Sequence, residues 1–143
     1  MGKLLAIATK PKARAPMALH DELAVGPRGL PGERAHPRER AVTVLSREAW
    51  AATCRALGTS LPWTLRRANL LIEGVELVGS VGRRLHVGEL VLEVCEETEP
   101  CRVMDAIHPG LRAALVPDFR GGVTCRVLTP AEIRVGAAVR IAE

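Results

Sequence analysis

Tyrosine is absent from this 143-residue chain, and its only aromatic side chains are Trp50, Trp63 and Phe119. Bases of single-stranded nucleic acid stack on aromatic platforms, so this scarcity weighs against such a partner despite a formal charge of +4 and a pI near 9.2. Lysine is scarce too, at Lys3, Lys10 and Lys12. The other permanent cations are arginines, whose planar fork grips phosphate or carboxylate through two hydrogen bonds. A small phosphorylated ligand suits that surplus better than nucleic acid. No stretch approaches the roughly 20 apolar residues of a membrane span. The apolar run in "GKLLAIATKPKA" is too short for a signal-peptide core and has no small-residue cleavage pattern after it. The expected compartment is the cytoplasm, where cysteines stay reduced.

Motifs are missing as well. Four cysteines and four histidines could hold zinc in principle, but no C-x-x-C or H-x-x-x-H pair occurs, which argues against a structural zinc site. There is no G-x-S-x-G elbow, and "GSVG" at Gly79–Gly82 is a turn signal. The loop "GPRGLPGERAHPRER" spaces Gly26, Gly29 and Gly32 evenly, yet no G-K-[ST] follows and no helix opens there. A dinucleotide or P-loop site therefore has no support.

What is present reads as one domain over residues 1–143, mainly β. Apolar residues at 48% and charged residues at 25% are ordinary globular values. A chain of this length buries roughly two-thirds of its unfolded surface without a disulfide. "KLLAIAT", "AVTVL", "RANLLIEG", "RRLHV", "ELVLEV" and "GVTCRVL" read as strands, and "EIRVGAAVRIAE" as strand and turn. Residues Ala24 to Arg40 read as loop. "SREAWAATCRAL" is the one clear helix, with Ser46 as N-cap, Glu48 in the first turn and Gly58 past the end. Trp50, Cys54 and Leu57 share one of its faces. Many short strands with Gly and Pro turns predict a barrel of mostly antiparallel strands with a few short helices.

The cysteines sort by pattern. Cys54 falls on a helical stripe and Cys125 on the apolar face shared by Val123 and Val127, so both read as small core residues. Cys95, at the end of a strand, is ambiguous. Cys101 follows Pro100, and "CRVMDAIH" reads as a helix running to Pro109. Free amide groups in a first helical turn favour a thiolate, and Arg102 adds to that, while Glu96, Glu97 and Glu99 oppose it. Local sequence leaves Cys101 open between a reactive and a structural role.

The order "RERAVTVLSREAW", "LRRANLLIEGVEL", "VGRRLHVGELVLEVCEETEPCRVMD" and "FRGGVTCRVL" resembles the MOSC domain, named for the C-terminal part of molybdenum cofactor sulfurase. The resemblance spans nearly the whole chain and implies a stand-alone MOSC-type β-barrel. It also implies binding of molybdenum cofactor (molybdopterin), or carriage of sulfur for metal–sulfur centres. The family's distinctive cysteine, in a P-C context after a strand, matches Cys101, which the resemblance makes the catalytic, cofactor-binding and metal-ligating candidate. Arg67 and Asn69 match its R-x-N element and are the further cofactor-binding candidates. Gly121-Gly122 matches its glycine pair. Gly32-Glu33 and Gly136-Ala137 depart from the Gly-Asp common in relatives.

Three functions remain open at this stage. One is a cofactor-binding or sulfur-carrier protein acting through Cys101, and another is a molybdenum-dependent reductase subunit for N-hydroxylated compounds. The third is a divergent β-barrel binding domain without metal chemistry. With no pyridoxal-phosphate or iron–sulfur domain in the sequence, a separate electron-transfer or cysteine desulfurase partner is implied beside the anionic pterin.

Overall fold

The structure is a computed structural model that describes residues 2–12, 15–33, 36–98, 100 and 102–142. In chain order its strands are β1 (Gly2–Thr9), β2 (Ala18–His20), β3 (Glu22–Val25), β4 (Val42–Ser46), β5 (Leu70–Glu73), β6 (Arg84–Val87), β7 (Leu90–Glu97), β8 (Val123–Thr129), β9 (Ala131–Arg134) and β10 (Ala138–Ala142). Helices α1 (Arg47–Leu57), α2 (Val103–Ile107) and α3 (Leu111–Leu115) complete it, with short 3-10 turns at Arg38–Arg40, Trp63–Arg66 and Pro117–Phe119.

Seven strands close on themselves in the order β10, β6, β7, β8, β4, β5, β1, because β1 pairs back onto β10 through Gly2–Val139 and Lys3–Ala138. Closure leaves no free edge within the ring, and β2 continues the sheet outward from β1. Every neighbour is antiparallel except β4 and β5. A parallel pair needs a crossover; α1 supplies it.

Side-chain alternation fills the interior. Leu85 and Val87 on β6, Leu90, Leu92 and Val94 on β7, and Val123, Cys125 and Val127 on β8 all point into one core, as do Val42, Val44, Leu70 and Ile72. Strand β1 departs from period two: Leu4 and Ile7, three apart, both face inward. A register shift between Leu4 and Ala6 accommodates this, as a bulge that inserts one residue. A second apolar cluster lies outside the ring, where Leu45 and Leu71 meet Trp50 of α1, Met104 of α2, and Leu111 and Leu115 of α3. The Trp50 indole donates to the Leu61 carbonyl at 2.8 Å, so the chain after α1 is tied back onto it.

The mainly β reading is upheld, and so are the α1 caps: the Ser46 hydroxyl accepts from the Ala49 amide at 3.2 Å, and Gly58 takes the left-handed conformation at φ 70°. Three expectations are corrected. At the start of the stretch read as loop, Ala24 and Val25 belong to β3, which pairs with β9 in a separate two-stranded ribbon. On α1, Trp50 is buried but Cys54 and Leu57 are only partly so, and the buried polar Thr53 returns its hydroxyl to the Ala49 carbonyl. The helix expected from Pro100 begins at Val103 and lasts five residues, without a side-chain cap. It ends where expected, at an extended His108 before Pro109, the conformation a following proline favours.

Candidate functional site

Two adjacent arginines lead into β5, and the backbone sends them to different places. The turn Trp63–Arg66 ends at Arg67, which adopts φ 62° and ψ 26°, a left-handed conformation that costs a side chain with a Cβ about 1–2 kcal/mol. Arg66 is buried and its guanidinium donates to the Gly121 carbonyl at 2.7 Å. Arg67 is exposed and lines a hollow of about 380 Å³ together with Lys10, Met17, Thr64 and Ile107. Lys10 is itself largely buried, with its ammonium donating to the Ala15 carbonyl at 2.8 Å.

Asn69 faces inward and its amide is fully engaged. Its carbonyl oxygen accepts from the Thr43 amide at 2.9 Å, and its amino group donates to the Ala8 carbonyl at 3.2 Å and to Glu33 at 2.9 Å. Both donors of the side chain are thereby used. Glu33 also accepts from the Lys10 amide and lies 3.4 Å from the His36 ring. Asn69 thus ties β1, β4 and the loop after β3 to the start of β5, while Arg67, two residues earlier, faces solvent. Spacing alone cannot distinguish a side chain that meets a ligand from one that positions its neighbours.

Cys101 lies outside the described residues. Its surroundings are partly described. Beyond the end of β7, the Thr98 amide donates to the Gly122 carbonyl at 2.9 Å, so the chain leading to Pro100 runs beside Gly121 and Gly122. Gly122 has φ 87°, and a Cβ there would collide with the Val44 carbonyl. A Cβ on Gly121 would meet the Thr98 carbonyl at 2.8 Å, with the Arg66 guanidinium and the Pro100 ring both within 4 Å. The glycine pair therefore permits close backbone approach, and the buried Arg66 guanidinium shares the surroundings of Gly121 with Pro100. Sequence reading passed over Arg66, because nothing local separates it from Arg67.

The other cysteines have distinct settings. Cys125 is fully buried in the barrel, and burial pushes its thiol up, with Cys95 adding to the shift. Burial also raises the Cys95 thiol, which sits half-buried outside the ring. Both are poor sources of thiolate near neutral pH. Cys54 is half-buried beside Arg47 and Arg55 in an open hollow of about 830 Å³. Among the described residues no group of three or more His, Cys, Asp or Glu is placed to hold a metal.

A family model described as MOSC domain matches residues 22–140. The chain belongs to the MOSC domain family. Its fold is that of the YuaD protein from Bacillus subtilis, at a TM-score of 0.81 and 17% identity over 99% of this chain and 96% of that one. YiiM from Geobacillus stearothermophilus is similar at 0.79 and 21% identity, covering 100% of this chain and 76% of its own. YiiM from Escherichia coli gives 0.73 and 18%, covering 99% and 70%. No curated protein matches the sequence. In this MOSC domain no described helix is long and apolar enough to cross a membrane.

Proposed function

We propose that this MOSC protein binds the molybdenum cofactor or carries sulfur on Cys101, with Arg67 and Lys10 gripping the phosphate of the pterin. The observation that carries this reading is the hollow they share: two cationic side chains line it, and none of its described lining residues is acidic. An oxyanion there meets a guanidinium capable of two parallel hydrogen bonds beside an ammonium, and charge-assisted bonds of this kind are the strong ones. The strained backbone of Arg67 is consistent with a side chain held where a ligand needs it, since such conformations concentrate at functional sites.

When bound, the cofactor supplies a molybdenum centre able to exchange oxygen and electrons. The chain's part is to bind and orient. Arg67 and Lys10 would hold the phosphate. Asn69 would act one step back, fixing Glu33 and the chain at Lys10. Arg66 would set a positive charge beside Pro100, the residue preceding the thiol. A soft thiolate suits either molybdenum or sulfane sulfur. Cys125 and Cys95, whose thiols burial pushes up, are the weaker candidates for that work.

Protein prepared in a molybdenum-replete host tests the reading through metal, pterin and persulfide content. Cys101→Ser should lose molybdenum or persulfide, because its oxygen is harder, far less acidic and unable to hold sulfane sulfur. Cys54→Ala and Cys125→Ala should retain both while losing some stability. If Cys101→Ser carries as much as the wild type, the remaining reading is a β-barrel binding domain without metal chemistry.

A further inference from the structure

The loop between β3 and β4 carries a second concentration of positive charge. Arg28, His36 and Arg38, with Pro27, line a hollow of about 330 Å³. Pro27, Arg28 and His36 also border an adjoining hollow of about 580 Å³, whose wall is mostly apolar and includes Leu30 and Pro31. None of these residues lines the hollow that holds Arg67.

His36 is anchored here. Its Nε2 lies 3.4 Å from a Glu33 carboxylate oxygen, and the Glu33 side chain is only 7% exposed against 32% for His36. Glu33 is itself fixed by the Asn69 amino group and the Lys10 amide. One ring nitrogen therefore faces a buried acid, while Nδ1 makes no hydrogen bond among the described residues and is available to a ligand. Among the described residues, the charged side chains lining the two hollows with His36 are Glu33, Arg28 and Arg38. Both arginines carry a permanent charge, and Glu33 already accepts from two donors.

We propose that this loop forms a second anion site, distinct from the Arg67 hollow. It takes the carboxylate or phosphate of a small organic ligand whose apolar body lies against Pro27, Leu30 and Pro31. Arg28 and Arg38 grip the anion, and His36, held by Glu33, borders it. Glu33 and Asn69 are positioning residues for His36. The site stands on its own geometry and does not depend on cofactor binding at Arg67.

Titration of the full-length, isotope-labelled protein with benzoate, whose charge is constant from pH 6 to 8, tests this by chemical-shift mapping, with acetate as the probe lacking an apolar body. The expected result is saturable binding that shifts the backbone signals of Arg28, Leu30 and His36, tighter for benzoate than for acetate. The double substitution Arg28→Ala with Arg38→Ala should weaken binding by at least about tenfold, of the order expected when hydrogen bonds to a charged group are lost. Arg67→Ala should leave the affinity unchanged. All three side chains are exposed, so these variants retain the fold. Absence of a saturable shift in the loop would overturn the proposal, as would undiminished binding in the double variant or loss of binding in Arg67→Ala.

Discussion

Along β6, β7 and β8 the inward residues Leu85, Leu92, Val94 and Cys125 are almost free of solvent and wholly apolar, whereas around the entry to β5 the buried side chains include the polar Arg66, Asn69 and Glu33. The wall is held by a non-directional effect proportional to area, so any apolar residue of suitable volume serves. The entry to β5 is held by groups that must each find a named partner, because a buried polar atom left alone costs more than a paired one gains. The wall tolerates rewording; the entry to β5 does not. The proposed binding chemistry sits on the second kind of structure, where charged side chains can be aimed.

Breaking the wall should give the largest effect on stability. Leu85 is fully buried in the barrel, and Leu85→Ala should cost about 2–5 kcal/mol in urea unfolding. A loss well under that range would mean the barrel core is less tightly packed than its burial indicates. Breaking the polar tie comes next: Asn69→Ala should cost about 1–3 kcal/mol by orphaning a buried donor and acceptors. Asn69→Asp sharpens the comparison, since it keeps the shape, removes both donors and sets a second carboxylate against Glu33. It should be at least as damaging as Asn69→Ala, and near-neutral unfolding would show that shape rather than pairing matters there. Ser46→Ala, which removes the α1 cap seen at 3.2 Å, should cost about 1 kcal/mol. Smallest of all is Arg67→Gly. Relief of the left-handed backbone, about 1–2 kcal/mol, is largely offset by the greater freedom of unfolded glycine, about 0.5–1 kcal/mol. Equal or slightly raised stability is expected by thermal unfolding.

The same contrast decides what was legible in the sequence. Alternation on β7 and β8 and the caps of α1 involve residues within a few positions of one another, so they could be read directly. The Asn69 side chain meets partners 26, 36 and 61 positions away, and no local pattern encodes them. Arg66 and Arg67 look alike in a string and are separated only by a change in the sign of φ. Pro100 favours a helix start, yet the helix begins three residues later. A barrel was legible, but not which strands close it: β1 meets β10 through Gly2–Val139 and Lys3–Ala138, pairs no local pattern names. The ribbon of β3 and β9 joins segments far apart in sequence, and the five residues of α3 are too few to show a helical period.

Affinity for the pterin phosphate in Arg67→Gly tests the central claim most directly, because that substitution separates binding from folding. Molybdopterin binding would be measured by fluorescence on wild type and variant at matched salt. The account predicts a variant at least as stable as the wild type that binds more weakly by about 1.5–3 kcal/mol, the worth of a hydrogen bond to a charged group. A stable variant that binds the pterin as tightly as the wild type would contradict it and return Arg67 to the role of a surface residue ending a turn.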